Sequence, residues 1–159
     1  MRPNNRGFTM IEALVVVVLL AAMTALAVPQ FNDWRRKAQF REAAREIAST
    51  LREARSKAIA ANLEHQVAID VSEASLAVTG GDRPYNSSAW PTTFPAVNLA
   101  GTVSLKSGAA CNQNTDVNIV FFPNGTSDVA PTVCVVSSEG AVFFRIVVTS
   151  TTSGRVVVE

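Results

Sequence analysis

The chain has 159 residues, 48% of them hydrophobic and 17% charged, with 14 Lys and Arg against 13 Asp and Glu. That length fits one domain with a core of its own, and the charge balance excludes both a polybasic nucleic-acid binder and an acidic disordered tail, each of which needs a large excess of one sign. A charged fraction below the roughly 25% of soluble domains, with a mean hydropathy of +0.20, means that part of the apolar sequence faces something other than a protein core.

That part is N-terminal. From Phe8 to Val28 the chain reads FTMIEALVVVVLLAAMTALAV, interrupted only by Thr9, Glu12 and Thr24. As a helix at about 1.5 Å per residue this run reaches roughly 32 Å, the thickness of a bilayer's hydrocarbon. It has no polar stripe of the kind a core helix shows. A secretory signal peptide would be shorter and would end at a small-x-small cleavage site, whereas this run passes into Pro29-Gln30-Phe31. Glu12 is out of place in a plain anchor, because an ionised group in lipid costs at least a few kcal/mol. Either it sits solvated at the membrane surface or it has a partner.

The flanking residues supply a reason. Arg2-Pro3-Asn4-Asn5-Arg6-Gly7, followed by Phe8-Thr9-Met10-Ile11-Glu12, resembles the leader and cleavage motif of type IV pilins and type II secretion pseudopilins. The resemblance implies that a prepilin peptidase cuts between Gly7 and Phe8 and that Phe8 is then N-methylated. It divides the chain into a leader (1–7), a transmembrane helix (8–30) and a head (31–159). Met10 stands where the family most often has leucine, a volume-conserving change. Cleavage would leave an ammonium on Phe8, four residues from Glu12 and on nearly the same helix face. Within one subunit, or between neighbours in a filament, the two charges can neutralise each other where either alone would be heavily penalised. Arg2 and Arg6 before the span are balanced by Arg35-Arg36-Lys37 after it, so charge alone does not orient the helix.

Pro29 removes a backbone donor and is expected to kink the helix rather than end it. Beyond it, Phe40, Ala44, Ile47, Leu51, Ala54 and Ala58 recur at spacings of three and four, with Ala48 and Ile59 widening the stripe. Arg41, Glu42, Arg45, Glu46, Arg52, Glu53 and Lys57 occupy the other side and read most simply as a solvated face. This predicts an amphipathic helix over 31–62.

From residue 63 the pattern becomes β. Gln66–Val71 alternates, and Ser72–Ser75 turns the chain into Leu76–Thr79. Residues 80–95, rich in Gly, Pro, Ser and Thr, read as a surface loop with Trp90 as its inward anchor. Short strands are expected at 97–99 and 102–105. Val117–Phe122 and Thr132–Val136 read as two strands around the Asn124-Gly125 turn. Ala141–Thr149 and Arg155–Val158, around Ser153-Gly154, supply the last pair.

In order along the chain, Leu51–Ile59, Val120–Thr126, Arg145–Val148 and Gly154-Arg155-Val156 are similar to the sequence blocks of the GspH/FimT (FimU-like) group of minor pilins and pseudopilins. The implied fold is α+β: the type IV pilin fold, a long N-terminal helix packed on an antiparallel β-sheet head. Cys111 and Cys134, the only cysteines, read as one disulfide in a domain that follows an export signal. A reactive thiol or half a metal site is the alternative, although no neighbouring His or Cys completes either.

Nothing points to an enzyme: no hydrolase, zincin, Walker or dinucleotide motif is present, and His65, the single histidine, reads as a surface or edge residue. No cofactor or metal is expected. Asn86-Ser87-Ser88 and Asn124-Gly125-Thr126 match glycosylation sequons, the second being better explained as a turn. The expected function is that of a minor pilin of a type IV pilus. Its partners would be other major and minor pilins, prepilin peptidase and the inner membrane, with the head in the periplasm before the subunit enters the pilus. The alternative is a type II secretion pseudopilin. DNA capture is a second alternative, because some FimT-like pilins that resemble this chain use C-terminal arginines for it. Arg145 and Arg155 are the candidate contacts here. Beyond residue 60, however, four basic residues face eight acidic ones, a balance that repels phosphate.

Overall fold

The computed structural model describes residues 8–99, 101–137 and 139–159, without the side chains of residues 25–30 and 33. The expected leader and Gly7 lie outside the described residues. The chain divides into two compact units, Met1–Lys37 and Ala38–Glu159. One helix, α1 (Met10–Ala61), contributes to both and includes Pro29.

In the first unit α1 begins immediately after Thr9. The large apolar side chains from Met10 to Met23 lie exposed on all sides of the helix. No helix among the described residues is long and apolar enough to cross a membrane. The expected span, 8–30, ends in the residues whose side chains lie outside that description.

In the second unit α1 presents the face that the spacing predicts. Phe40, Ala44, Ile47, Ala48, Leu51, Ala54 and Ala58 are buried, joined by Ala43. Small residues at five of these eight positions let the helix lie close to the strands. Ile59 departs from expectation: it is 49% exposed, one residue past the last contact of the stripe. The helix ends on Asn62, whose positive φ of 52° lets the Leu63 N–H reach back to the Ala58 carbonyl at 3.3 Å, the six-to-one bond of a Schellman cap.

Among the described residues nine strands follow: β1 (His65–Asp70), β2 (Ser75–Gly80), β3 (Thr92–Thr93), β4 (Val97–Asn98), β5 (Ser104–Ser107), β6 (Val117–Phe121), β7 (Thr132–Val136), β8 (Val142–Val148) and β9 (Val156–Val158). They form two antiparallel sheets. The first runs β3-β2-β1-β6, with β4 also on β2, and the second runs β5-β7-β8-β9. Alternate residues of β1 and β2, among them Val67, Ile69, Leu76 and Val78, point into a core shared with α1, Leu105, Ile119, Phe121, Val133, Val135 and Ile146.

Three expectations are corrected. The strands at 117–122 and 132–136 exist but do not pair, because β6 lies on β1 while β7 lies between β5 and β8. The Asn124-Gly125 turn folds the chain back only as far as an isolated bridge between Phe121 and Ser127 before it crosses to the second sheet. His65 is neither on the surface nor on an edge strand. It is buried in β1, between two partners, with Nδ1 3.3 Å from the Leu63 carbonyl and its ring 5.9 Å from that of Phe94. Trp90 is only half-buried, and Phe94 is the loop residue that packs on the core.

The cysteines form the expected disulfide, Cys111–Cys134, with Cα atoms 5.7 Å apart and a separation of 23 positions in sequence. It ties the segment after β5 to the middle of β7, in a small cluster with Val136. Closing a loop of that size stabilises by about 3 kcal/mol in the chain-entropy model.

Candidate functional site

The start of α1 combines three features. Thr9 is the N-cap: its hydroxyl accepts from the Glu12 N–H at 3.3 Å and its carbonyl from the Glu12 and Ala13 N–H groups at 3.1 and 3.2 Å. Glu12 is therefore the third helical residue, the position at which a capping-box acid stands and at which the helix dipole favours negative charge. Among the described residues its carboxylate has no hydrogen-bond or ion-pair partner. Phe8, 74% exposed, precedes the cap by one residue. A short non-helical end, a fixed helix start and a carboxylate one turn in give the arrangement a defined reach for a cationic group. The surrounding surface is apolar, and a charge pair buried there is held far more strongly than in water.

Within the second unit, three of the head blocks meet. The Arg55 Nε donates to the Gly125 carbonyl at 2.8 Å, and the Arg52 Nη2 to the Val156 carbonyl at 3.2 Å. Gly154, at φ 53°, packs its bare Cα on the Gly125 carbonyl, which leaves no room for a Cβ. Three of the blocks therefore form one clasp joining the helix to the 122–126 and 149–155 turns. Lys57 lies 3.6 Å above the Phe94 ring and 2.7 Å from Glu53. The reading of these helix charges as a solvated face is thus corrected for Arg52 and Lys57, each of which makes a contact with the rest of the head.

Two carboxylates order the 81–91 loop, and nothing in the residue pattern marked either. Glu64, buried, accepts from the Asn86 and Ser87 N–H groups, each at 2.8 Å. Asp82 accepts from the Ser88 and Ala89 N–H groups at 3.0 and 3.3 Å. Partial desolvation pushes the Asp82 carboxyl up, but the bonds from Ala89 and Ser88, its own amide and the Arg83 guanidinium outweigh it and hold it below the ordinary carboxylate range. Asp70 is held down likewise, first by the Glu73 N–H and then by the Ser72 hydroxyl. A depressed folded-state value stabilises above the unfolded value and loses that contribution as pH falls through the folded one. The Ser88 and Ala89 amide resonances should therefore titrate together with a midpoint below that of an ordinary aspartate, and Asp82→Asn should abolish that titration.

Arg145 and Arg155 are exposed on the same face of the second sheet but are not brought together. Arg145 exchanges both backbone hydrogen bonds with Glu159, placing an acid directly across from it, while Arg155 lies across from Thr149. Four strand positions separate them, roughly 13 Å at about 3.4 Å per residue. No group of three or more His, Cys, Asp or Glu able to hold a metal ion occurs among the described residues.

Residues 2–28 match the model of the prokaryotic N-terminal methylation motif, and residues 43–158 match that of the type II transport protein GspH. A fimbrial protein of Pseudomonas aeruginosa is 36% identical over 55 residues, 35% of each chain, so the match spans about a third of that relative's length. Two solved structures share the fold. The type IV minor pilin FimU of Pseudomonas aeruginosa has a TM-score of 0.57 at 18% identity, covering 77% of this chain and 89% of that one. The minor pseudopilin EpsH of the Vibrio cholerae type II secretion system has a TM-score of 0.57 at 12% identity, covering 76% and 96%.

Proposed function

The chain belongs to the GspH family of minor pilins and pseudopilins, and from that we propose that it is a minor pilin of a type IV pilus. In this reading prepilin peptidase removes residues 1–7, Phe8 is N-methylated, and residues 8–30 hold the subunit in the inner membrane with its head in the periplasm. The subunit then leaves the membrane for the filament, where α1 packs among the helices of other pilins. Glu12 pairs there with the Phe8 ammonium of its own or a neighbouring chain.

The observation that carries the reading is the start of α1: an N-cap at Thr9, the second residue after the expected cut, and a carboxylate at Glu12 that has no partner among the described residues, within an exposed apolar helix. A soluble subunit would have to hide that surface, whereas a filament subunit buries it against its neighbours. The match of residues 2–28 to the methylation motif supports the same assignment. A second reading, a type II secretion pseudopilin, is favoured by the family's description and by the likeness to EpsH. Affinity capture of the processed chain from membranes separates the two. Recovery of pilus subunits supports the first reading, and recovery of secretion-system pseudopilins in their place refutes it.

A further inference from the structure

The apolar run of α1 is followed by a feature that the filament reading does not use. Phe31 and Trp34 are 58% and 65% exposed, and their rings are stacked with centroids 5.9 Å apart. Arg35-Arg36-Lys37 follow directly, with Asp33 the one acid in the segment. Phe31, Trp34 and Arg35 stand at i, i+3 and i+4 and so share a helix face. We propose that this cluster is an anchor for anionic phospholipid headgroups, seated at the membrane surface where the span ends. The proposal rests on the reading of residues 8–30 as a membrane span.

Length, residue type and charge each support it. Measured along the helix from Phe8, Val28 lies about 30 Å away and Phe31 to Trp34 about 35–39 Å away. That places the aromatic pair just beyond the hydrocarbon, within the headgroup layer. Trp is the residue that collects there, with its ring in the acyl boundary and its N–H at the polar side. The cations are the telling part. Lys and Arg flanking a span are disfavoured on the exported side, and removal of the leader strips Arg2 and Arg6 from the opposite end. Three cations kept in the disfavoured position need a compensating interaction, and lipid phosphate supplies it. Three such charges favour an anionic over a neutral surface by roughly 100-fold. The long side chains of Arg and Lys let their charged groups reach the phosphates while their methylenes stay with the acyl chains. The acidic balance of the head offers a competing occupant, the head of a neighbouring subunit.

Trp34 is its own probe, since Trp90 is the only other tryptophan. The processed full-length chain carrying Trp90→Phe is reconstituted into vesicles. Its fluorescence is then quenched, at equal mole fractions, by an anionic or a zwitterionic phospholipid brominated near the headgroup. The expected result is severalfold stronger quenching by the anionic lipid, falling to parity when Arg35, Arg36 and Lys37 are all replaced by glutamine. Trp34→Phe with Trp90 retained should show no lipid quenching. Equal quenching by the two lipids in the native sequence overturns the proposal. So does the absence of quenching in a chain that floats with the vesicles, or shielding of Trp34 that appears only when a second pilin is added. A chain that does not float with vesicles at all removes the membrane-span reading itself, and the anchor with it.

Discussion

Replacing Glu12 with alanine is expected to leave cleavage, methylation and membrane retention unchanged while removing the subunit from the filament. Thr9 still caps the helix through its own hydroxyl and carbonyl, so the start of α1 survives the substitution. The surface at Met10, Ile11 and Leu14 is as apolar as before, so insertion is not weakened. In the proposed filament, what is lost is the partner of the Phe8 ammonium. Breaking a buried pair by deleting one member costs about 3–5 kcal/mol, because the remaining charge stays desolvated. At about 1.4 kcal/mol per factor of ten, incorporation should fall by at least 100-fold. Glu12→Gln keeps the shape and loses the charge, and should fail nearly as badly. Quantifying the subunit in sheared filaments against membranes checks both, and incorporation at the native level would refute the role given to Glu12.

The second large effect lies in the clasp. Gly154→Ala should destabilise the head far more than Gly140→Ala, although both glycines have positive φ, 53° and 84°. An alanine in the left-handed region costs roughly 1–2 kcal/mol at either position. At Gly140 nothing among the described residues lies within 4 Å of the added methyl, so the backbone cost stands alone. At Gly154 the methyl would meet the Gly125 carbonyl oxygen, so one of the two turns must move. Movement disturbs the Arg55 bond to that same carbonyl, a charge-assisted bond worth about 1.5–3 kcal/mol. A total of about 3 kcal/mol or more is expected for Gly154→Ala. Thermal unfolding of the two variants under matched conditions decides it, and equal melting temperatures would mean that the clasp carries no stability.

The parts that were legible in the sequence share a cause. A helix face has a period, and Phe40, Ala44, Ile47, Leu51, Ala54 and Ala58 announce it without knowledge of what they pack against. Strands announce themselves by alternation in the same way, but alternation states only which side of a strand is buried. It does not name the neighbour, which is why β6 and β7 read as a hairpin across Asn124-Gly125 and are in fact in different sheets. His65 was misplaced for a related reason. Its position in β1 is the one set by Val67 and Ile69, so it faces inward whatever its polarity. Glu64 carried no signal at all, because its partners are backbone N–H groups 22 and 23 residues away. At the candidate site, Glu12 stood out because a charge within an apolar run is costly. The Arg55–Gly125–Gly154 contact did not, since side-chain-to-carbonyl bonds across 70 residues leave no periodic trace.

In the proposed function α1 begins at a newly made N-terminus and is buried there by other subunits. Mass spectrometry of the N-terminal peptide recovered from sheared filaments tests it most directly. A peptide beginning at N-methylated Phe8, with Glu12 intact, is expected in the filament fraction. Peptides that retain residues 1–7, or a cut at any other bond, in protein taken from filaments would contradict it.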